Sequence, residues 1–519
     1  MKQFELFSEI LAFSAEKYPD RLAVVCNDEG YTYREFQLAA DLFANDLIKM
    51  GLKPGDHVAL WAMNHACWPI AFMGIIRAGG VAVLLNYGLP AKDIAEQMRF
   101  ADVKFIAYGA TRETAIDPEA PIKIAQILGL PAAHTCDIRQ NFHARLARGE
   151  KADVLLPENK DSKRTATLIF TTGTTGLSKA VEQSQYAICC NFLSVFEQMR
   201  DVLHMRKIIA LPLFHSFGLE TLFFYLRNGS TIWLTAMLHP DDLVRTIIQN
   251  EIADITTVST LLHGIIRHPD FSPEIANRFI QTAVGGSYMS PAELQFFNDS
   301  FPNACLLCGY GQTEACTFIG MPFSSDSLQK RLTSVGRPVP CLEVQIVDST
   351  GKSLPANKNG EIVYRGSSVM NGYYKQSADQ AFDKDGWVHT GDLGYLDEEG
   401  YLYITGRLKD IIIKSGENIL PAQIEEKIRS CDGVQAVKVL GVPHPVTGES
   451  IEACIIPDPA TWRGEEVLRQ QLKEKLNSFM TPSHFFLYDQ FPLSENGKLD
   501  QRTLQEDVVR KIKETGSAQ

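Results

Sequence analysis

The sequence predicts an α/β protein with a large N-terminal domain of helix-covered sheets plus a small barrel-like part, and a small α+β C-terminal domain. Three observations support this prediction. Short apolar runs alternate with helical patterns over the first half of the chain, as in sheets covered by helices. After about residue 335 the runs are separated by Gly, Asp and Asn turns, which is typical of antiparallel strands. From about residue 410 a further strand and helix pattern follows.

Short apolar runs in the N-terminal part are the predicted strands, and helical stretches separate them. An Ala/Ile-rich stretch that ends at Arg77 is one of these predicted helices. The predicted strands are HVALWAM (57–63), GGVAVLLN (79–86), VKFIAYG (103–109), KIIALPLF (207–214), STIWLTAM (230–237), ADITTVS (253–259) and QTAVGG (281–286).

The later part of the chain contains the barrel-like strands and the small domain. The barrel-like strands are CLEVQIVD, GEIVYRG and GYLYITG. The small domain has a strand, DIIIKSG, then the helix AQIEEKIRS, the strands AVKVLGVP and IEACIIP, a helix near EEVLRQQLKEKL and a tail ending in NGKLD. Gly406–Asp410 is the predicted linker, so the predicted domains are residues 1–408 and 409–519.

Composition and charge exclude several classes of protein. The chain has 519 residues, which at ~150 residues per domain suggests three or four units, or two if one is large. Apolar residues make up 45% and charged residues 22%, which argues against a disordered, collagen-like or disulfide-stapled chain. With 50 basic and 62 acidic residues the net charge is −12. Such a charge repels nucleic acid and anionic membranes in general, so neither is an expected partner.

The cysteines and the N-terminus indicate the compartment. The eleven cysteines are scattered, and they offer no second pair at the spacing of a zinc site, so we expect reduced core thiols. The first residues, MKQFELFSEI, lack the apolar stretch of a signal peptide. No uncharged apolar run reaches the ~18 residues that a membrane span needs. The sequence therefore predicts a cytoplasmic protein without a membrane span.

The strongest chemical signal is the segment TTGTTGLSK (171–179), which follows the predicted strand TATLIF. Glycines let backbone N–H groups approach an anion, hydroxyls add donors, and a lysine adds positive charge. The segment differs from a Walker loop because Ala180 follows the lysine. We expect a polyphosphate to bind at Thr171, Thr172, Gly173, Thr174, Thr175, Gly176 and Lys179.

Six motifs in order resemble those of the adenylate-forming superfamily, which comprises acyl-CoA ligases, peptide-synthetase adenylation domains and beetle luciferases. The match is closest to the acyl-CoA ligases. The motifs are TTGTTGLSK (171–179), LPLFHSFG (211–218), GYGQTE (309–314), HTGDLG (389–394), GRLKDIIIKSGENILPAQIEE (406–426) and SENGKLD (494–500).

The resemblance implies a reaction in two halves with ATP, Mg²⁺ and coenzyme A. A carboxylic acid first attacks the α-phosphorus of ATP, giving acyl-AMP and pyrophosphate, and a thiol then displaces AMP. Both transition states concentrate negative charge, so fixed cations and hydrogen-bond donors are the expected catalysts. The resemblance also implies that the small C-terminal domain is mobile, with its hinge at Lys409 and the active site at the domain interface.

The resemblance assigns roles to residues of the GYGQTE motif. Glu314 would be the magnesium ligand, because Mg²⁺ favours oxygen ligands and bridges phosphates. Thr313 would contact the α-phosphate and Tyr310 would stack on adenine. The remaining nucleotide-binding residues of the motif would be Gly309, Gly311 and Gln312.

Further roles follow from the other motifs. Asp392 would bind the ribose hydroxyls, since a carboxylate accepts two hydrogen bonds, and Arg407 would lie beside the same ribose. Lys498 would be the catalytic lysine that reaches the carboxylate and the α-phosphate. His215 would border the carboxylate. The adenine and acyl pockets would be lined by Gly285, Gly286 and Ser287, and the pantetheine tunnel by Lys414, Ser415 and Gly416.

Several alternatives remain at this point. The thiol could belong to a carrier protein rather than to coenzyme A. Amino-acid adenylation is less favoured, because that branch usually has an aspartate just after the motif that matches LPLFHSFG (211–218), although Glu220 keeps it open. No feature of the sequence requires a luciferase-like oxygenase. A non-catalytic nucleotide-binding regulator is disfavoured, because the catalytic and nucleotide-binding residues implied by the resemblance are all present. The mostly apolar segments 214–224, 257–262 and 316–320 suggest an aromatic or medium-chain acid.

Overall fold

The computed structural model describes residues 4–109, 116–117, 119–154, 156–157, 161–171, 179–196, 206–492 and 499–514. The chain divides into two compact units. The first unit comprises Met1–Val344 and Tyr364–Val388, and the second comprises Gln345–Val363 and His389–Gln519. The predicted boundary between residues 408 and 409 was placed at the expected hinge, and it stays a prediction.

Helices and strands alternate through most of the described chain. The helices are α1 (Phe7–Lys17), α2 (Tyr33–Lys49), α3 (Cys67–Arg77), α4 (Ala91–Phe100), α5 (Ala120–Ile127), α6 (Phe142–Ala147), α7 (Gln185–Phe196), α8 (Ser216–Arg227), α9 (Pro240–Gln249), α10 (Ser259–Ile266), α11 (Pro273–Ala276), α12 (Pro291–Ser300), α13 (Leu328–Thr333), α14 (Pro421–Arg429), α15 (Glu465–Lys473) and α16 (Gln501–Glu514). The strands are β1 (Leu22–Cys26), β2 (Glu29–Thr32), β3 (His57–Ala62), β4 (Val81–Leu84), β5 (Val103–Gly109), β6 (Thr135–Asp137), β7 (Thr165–Thr171), β8 (Lys179–Ser184), β9 (Arg206–Ala210), β10 (Thr231–Leu234), β11 (Asp254–Thr257), β12 (Gln281–Gly285), β13 (Cys305–Gln312), β14 (Thr317–Met321), β15 (Arg337–Pro338), β16 (Leu342–Val347), β17 (Gly360–Gly366), β18 (Gly372–Tyr373), β19 (Val388–Leu396), β20 (Leu402–Arg407), β21 (Ile412–Lys414), β22 (Glu417–Ile419), β23 (Val434–His444), β24 (Gly448–Pro457) and β25 (His484–Leu487).

A nine-stranded sheet of the first unit positions most of the candidate site. Its strand order is β15-β14-β13-β12-β11-β9-β10-β1-β2, and the six neighbouring strands from β13 to β1 are parallel. The carboxyl ends of parallel strands meet at one edge of a sheet, where ligands of open α/β sheets usually bind. The segments that follow β9, β12 and β13 at this edge contain His215, Ser287 and Glu314.

A seven-stranded sheet of the first unit has the order β18-β8-β7-β4-β3-β5-β6. Strands β7, β4, β3, β5 and β6 are parallel, whereas β8 pairs antiparallel with β7 and β18 pairs antiparallel with β8. The β7–β8 pair therefore holds both ends of the predicted polyphosphate loop, and β18 brings a distant segment beside it.

The nine-stranded sheet has an apolar core and one buried ion pair. Helices α9, α10 and α12 bury Ile247, Leu262 and Phe297 with strand residues of the sheet. Lys207 on β9 forms a fully buried ion pair with Asp254 on the neighbouring strand β11. The Tyr225 hydroxyl of α8 donates to the same carboxylate at 3.2 Å, so the buried charge is paired and hydrogen-bonded, as burial of a charge requires.

Two further sheets include most of the strand residues of the second unit. The first has the order β16-β17-β19-β20 and lies where the barrel-like part was predicted. The other has the order β22-β21-β24-β23, with β25 paired parallel to β24. Alternate residues of β24 face opposite sides, so Ala453 and Ile455 pack with α14 and α15, while Cys454 packs with α16.

The observed architecture confirms the predicted fold class, with a large N-terminal part of helix-covered sheets and a smaller α+β C-terminal part. Several predicted strands agree closely with the structure, and β5 coincides with VKFIAYG. Within the described ranges, we find no helix with both the length and the apolar character that crossing a bilayer demands.

Candidate active site

The base of the polyphosphate loop is formed by the paired ends of β7 and β8. Thr171 is the last residue of β7 and is paired with Lys179, the first residue of β8. The Thr171 hydroxyl donates to the Lys179 carbonyl oxygen at 3.5 Å. The predicted binding residues between them, Thr172, Gly173, Thr174, Thr175 and Gly176, lie outside the described residues.

Glu314 lies in a single 3₁₀ turn, Thr313–Ala315, directly after β13. The buried Gln183 side chain of β8 donates from Nε2 to the Thr313 carbonyl oxygen at 2.8 Å. The backbone N–H of Met370, just before β18, donates to the Glu314 carbonyl oxygen at 2.8 Å. These two contacts hold the turn, which continues β13 of the nine-stranded sheet, against the seven-stranded sheet. The predicted α-phosphate and magnesium residues therefore lie beside the loop base.

Tyr373 on β18 connects Glu314 with Lys179, and the sequence did not single it out. Its hydroxyl donates to Glu314 Oε1 at 3.0 Å. The Lys179 ammonium lies over its ring, 4.3 Å from the centroid, within cation–π range. Burial, together with the Glu314 carboxylate, raises the pKa of Tyr373 above its ordinary value, so the phenol stays a neutral donor. One side chain therefore orients both the predicted metal ligand and the loop lysine.

The donor set at Glu314 fits Mg²⁺. A carboxylate oxygen is a hard ligand of the kind that Mg²⁺ takes in phosphate sites. The Tyr373 hydroxyl orients this carboxylate through its hydrogen bond. Mg²⁺, when bound, would supply charge neutralisation for the phosphates of ATP. The residues of this chain supply the carboxylate, its orientation and the nearby ammonium.

We expect Tyr373→Phe to raise the Mg²⁺ concentration required for half-maximal acyl-AMP formation by about tenfold. This is near the lower end of the loss of metal affinity seen when a residue that orients a metal ligand is changed. The ring stays under Lys179, but the hydrogen bond to Glu314 is lost. The measurement is a Mg²⁺ titration of pyrophosphate release at saturating ATP.

The neighbouring Tyr374 offers a matched control for this titration. Its hydroxyl donates to Asp102 at 2.8 Å, away from Glu314, so Tyr374→Phe should leave the Mg²⁺ dependence unchanged. If the Tyr373 and Tyr374 variants behaved alike, the orienting role of Tyr373 would be refuted.

The glycines of the GYGQTE segment are required by close backbone packing. A Cβ atom on Gly311 would lie 1.6 Å from the Thr317 carbonyl oxygen, and one on Gly309 would lie 2.6 Å from the Phe318 ring. Gln312 donates from Nε2 to the Tyr364 hydroxyl at 2.9 Å. Tyr310 is half-buried on the same strand. The glycines thus allow β13 and β14 to pair closely. This packing requires glycine at these positions independently of the predicted nucleotide binding.

The segment after the 3₁₀ turn has an unusual backbone. Cys316 has a φ of 60° and Thr317 a φ of 145°. Residues other than glycine seldom have a positive φ, and a β-branched residue such as Thr317 does so rarely. Such conformations persist only where the surroundings hold them, and they cluster at functional sites. This strain lies directly beside Glu314 and agrees with a functional role for the turn.

His215 occupies the N-cap position of α8. It is half-buried and packs against the Phe214 ring, with the ring centroids 4.3 Å apart. Gly285 ends β12, Gly286 has a φ of 86°, and the Ser287 hydroxyl lies 3.3 Å from that of Ser259. These predicted acid-pocket and adenine-pocket residues all follow carboxyl ends of the parallel strands, as the sheet edge requires.

In the second unit, Asp392 and Arg407 are directly paired. They are cross-strand partners on β19 and β20, and Arg407 Nε lies 2.9 Å from Asp392 Oδ1. The Asp392 side chain is 11% exposed and that of Arg407 is 58% exposed. The carboxylate is thus held on a strand with its charge balanced by an accessible guanidinium, a donor and acceptor pair suited to a diol.

Of the remaining predicted residues of the second unit, Lys409, Ser415 and Gly416 lie in turns, and Lys414 ends β21. Lys409 is in an exposed 3₁₀ turn, Leu408–Asp410. Ser415 and Gly416, with φ values of 51° and 84°, form the two-residue turn between β21 and β22, and φ above zero at both positions is the type I′ hairpin pattern. The Lys414 ammonium donates to the Phe479 carbonyl oxygen at 2.8 Å. Lys498 lies outside the described residues.

Comparisons with known proteins identify the family of the chain. The sequence profile of the family described as AMP-binding enzyme matches residues 11–374, and the profile of the AMP-binding enzyme C-terminal domain matches residues 423–498. The chain is 30% identical to 2-succinylbenzoate–CoA ligase of Bacillus velezensis, over 95% of this chain and 96% of that protein. It is 28% identical to a long-chain-fatty-acid–CoA ligase of Escherichia coli, over 98% of this chain and 96% of that protein.

A solved structure shows the same fold. The o-succinylbenzoate CoA synthetase of Bacillus subtilis, in complex with its acyl-adenylate intermediate, has a TM-score of 0.80 at 27% identity. The match covers 96% of this chain and 97% of that one. The same enzyme has been solved with ATP and a magnesium ion, and that structure has the same TM-score. The chain therefore belongs to the AMP-binding enzyme family, and the predicted adenylate-forming acid–thiol ligase is confirmed.

Proposed function

We propose that the protein joins an aromatic or medium-chain carboxylic acid to coenzyme A in two steps. The acid's carboxylate oxygen attacks the α-phosphorus of ATP, and the bond to the bridging oxygen breaks to release pyrophosphate. The sulfur of coenzyme A then attacks the acyl carbon of acyl-AMP, and AMP leaves. The observation that carries this proposal is the linked set of Lys179, Tyr373 and Glu314 at the base of the polyphosphate loop.

The charges in the first unit support the adenylation step. Lys179 provides an ammonium beside the loop, and Glu314 provides a carboxylate for Mg²⁺, so opposite charges are arranged for the phosphates and for the metal. Thr313 lies in the same turn and would donate to the α-phosphate. In the second unit, Asp392 and Arg407 would exchange part of their mutual contact for the ribose hydroxyls.

The pocket composition supports the choice of acid. Aromatic and aliphatic side chains line a cavity beside the predicted acid site, among them Phe192, Phe217, Phe224 and Phe318. No arginine is among its described lining residues, which disfavours a dicarboxylate. One named relative acts on a long-chain fatty acid. The other acts on 2-succinylbenzoate, an aryl acid whose second carboxylate the arginine-free lining here disfavours. A monocarboxylic acid with an apolar or aryl body is therefore the substrate class we expect here.

The test is pyrophosphate release with a panel of aliphatic and aryl acids, first without a thiol and then with coenzyme A or a pantetheine-bearing carrier protein. We expect acid-dependent pyrophosphate release without thiol and thioester formation with coenzyme A. Absence of acid-dependent release across the panel would refute the proposal. Transfer to the carrier protein alone would refute the assignment of coenzyme A.

The hinge prediction gives a test of the two-step reaction. Proline fixes φ near −65°, which a 3₁₀ turn accommodates, so we expect Lys409→Pro to hold the turn at Leu408–Asp410 without unfolding it. Thioester formation should fall by about tenfold or more relative to acyl-AMP formation, because hinge positions absorb the backbone change between conformations. The two steps are measured separately, with acyl-AMP isolated from the first. Lys409→Ala keeps φ free and is the control, and equal losses in both steps for the proline variant would refute the hinge.

A further inference from the structure

One face of α8 borders a small cavity in the first unit. Phe217, Glu220, Thr221 and Phe224 follow the spacing of a single helix face, and all four line the cavity. Its volume is about 20 Å³, which is the space of one water-sized group. Apart from α8, its walls come from α7, the parallel strands β11 and β12, and β14.

The polar side chains that line this cavity differ in whether they form hydrogen bonds. The Thr221 hydroxyl donates to the Phe217 carbonyl oxygen at 2.7 Å. The hydroxyls of Tyr225 and Thr256 lie 2.6 Å apart and bond each other. Glu220 is only 1% exposed, and neither of its carboxyl oxygens makes a hydrogen bond of ordinary geometry with a described group, although the Thr317 side chain is near enough to affect its pKa. A buried carboxyl group without a well-formed hydrogen bond is costly in a folded protein, which points to a ligand or a function.

The cavity adjoins the predicted acid site through two aromatic rings. Phe217 and Phe318 meet edge to face, with their centroids 5.6 Å apart, and both line the cavity. Phe217 also packs on Gly285 and Phe318 on Gly309. The aromatic pair thus borders both the glycine segments at the sheet edge and the chamber that contains Glu220.

We propose that Glu220 is a specificity residue, and that its cavity receives a hydroxyl group at the far end of the carboxylic acid substrate. This proposal rests on the proposed function and narrows it to hydroxy acids. A hydroxyl is both donor and acceptor, it fits a space of about 20 Å³, and it can bond both oxygens of a carboxyl group.

The state of Glu220 agrees with a neutral partner. Burial raises the pKa of its carboxyl well above the ordinary value, and the adjacent Thr317 side chain offsets this only in part. Burial therefore favours the protonated form of this carboxyl group, which has one O–H donor and one carbonyl acceptor. A neutral hydroxyl matches this pair, whereas an ammonium group would require the carboxyl to ionise in an apolar chamber.

The experiment compares matched acids that differ by one hydroxyl: para-hydroxybenzoate with benzoate, para-hydroxyphenylacetate with phenylacetate, and omega-hydroxyhexanoate with hexanoate. The measured quantity is kcat/KM for pyrophosphate release by the wild-type protein and by Glu220→Gln and Glu220→Met. We expect at least one pair in which the wild type prefers the hydroxy acid by about 10–100-fold, the size of leaving a buried polar group unpaired.

The two variants separate recognition from structure. The amide of Glu220→Gln still donates and accepts, so the preference should persist within a few-fold. Glu220→Met has a similar length without polar atoms, so it should lose the preference while it activates the deoxy acid at least as well as the wild type does. Thermal unfolding of each variant shows whether the fold is retained.

Three results would overturn the proposal. The first is activation of the acids by the wild type without any preference within the pairs, which leaves the ligase assignment standing but removes the hydroxyl subsite. The second is an equal loss for both members of a pair in Glu220→Met, which would make Glu220 structural. The third is a stronger preference for the corresponding amino acids than for the hydroxy acids. Failure of the wild type on every acid would instead count against the proposed function itself.

Discussion

Lys498→Ala is expected to lower acyl-AMP formation by ~10²–10³-fold, the effect of removing one electrostatic donor from a transition state. The lysine ammonium is a compact point charge on a flexible stem, suited to follow negative charge as it moves from the attacking carboxylate to the phosphate. The assignment comes from the SENGKLD motif and from the family match, which extends to residue 498.

The same substitution should spare the second step. Thioester formation from synthetic acyl-AMP and coenzyme A should remain within about tenfold of the wild type, because a group used in only one transition state affects that step alone. The measurement feeds the variant either ATP and acid or preformed acyl-AMP, and follows thioester in both cases. Lys513→Ala is the matched control, since Lys513 is an exposed lysine of the neighbouring helix α16. Equal losses from both starting points would mean that Lys498 serves both steps or is structural.

Local sequence patterns predicted many of the strands and where the candidate site residues lie relative to them. Short apolar runs bounded by turn residues produced β5 and β17 with their observed bounds, because β-branched residues and turn chemistry act over a few positions. Predicted site residues of the first unit lie at carboxyl ends of parallel strands. A strand followed by a glycine-containing segment can be recognised from neighbouring residues alone, so the sequence could indicate these places.

The predicted ends of strands were less accurate. KIIALPLF was predicted as a strand through residue 214, whereas β9 ends at Ala210 before Pro212, because proline cannot donate to a strand ladder.

The features that the sequence did not predict depend on contacts between distant segments. Tyr373 is one of two adjacent tyrosines, and nothing local distinguishes it from Tyr374. Only the pairing of β18 with β8 brings its hydroxyl to Glu314, 59 positions away. The sequence drew attention to Glu220 only for its place after the LPLFHSFG motif. Its burial follows from the packing of α8 against α7 and the sheet. The hydrophobic pattern of one sequence does not show whether a single carboxylate on a helix is buried by such packing.

Glu314→Gln is expected to lower adenylation by about 10²-fold or more, since an anionic oxygen ligand is lost from the metal site. The second half-reaction should fall as well, so preformed acyl-AMP should not restore the rate as it does for the Lys498 variant. The fold should survive, because the amide oxygen can still accept the Tyr373 hydrogen bond. The contact from Met370 is made by the Glu314 backbone and is unaffected.

The decisive measurement for Glu314→Gln is a Mg²⁺ titration of pyrophosphate release, combined with a thermal unfolding curve. The variant should show a low rate that rises only weakly with Mg²⁺, while its unfolding temperature stays close to that of the wild type. Glu274→Gln, which removes the charge of an exposed carboxylate on α11, is the control and should match the wild type in both measurements. Near-normal turnover of the Glu314 variant at limiting Mg²⁺ would contradict the metal-ligand role. Tyr373 would then orient a carboxylate that does not contact the metal, and the predicted effect of Tyr373→Phe on the Mg²⁺ requirement should disappear with it.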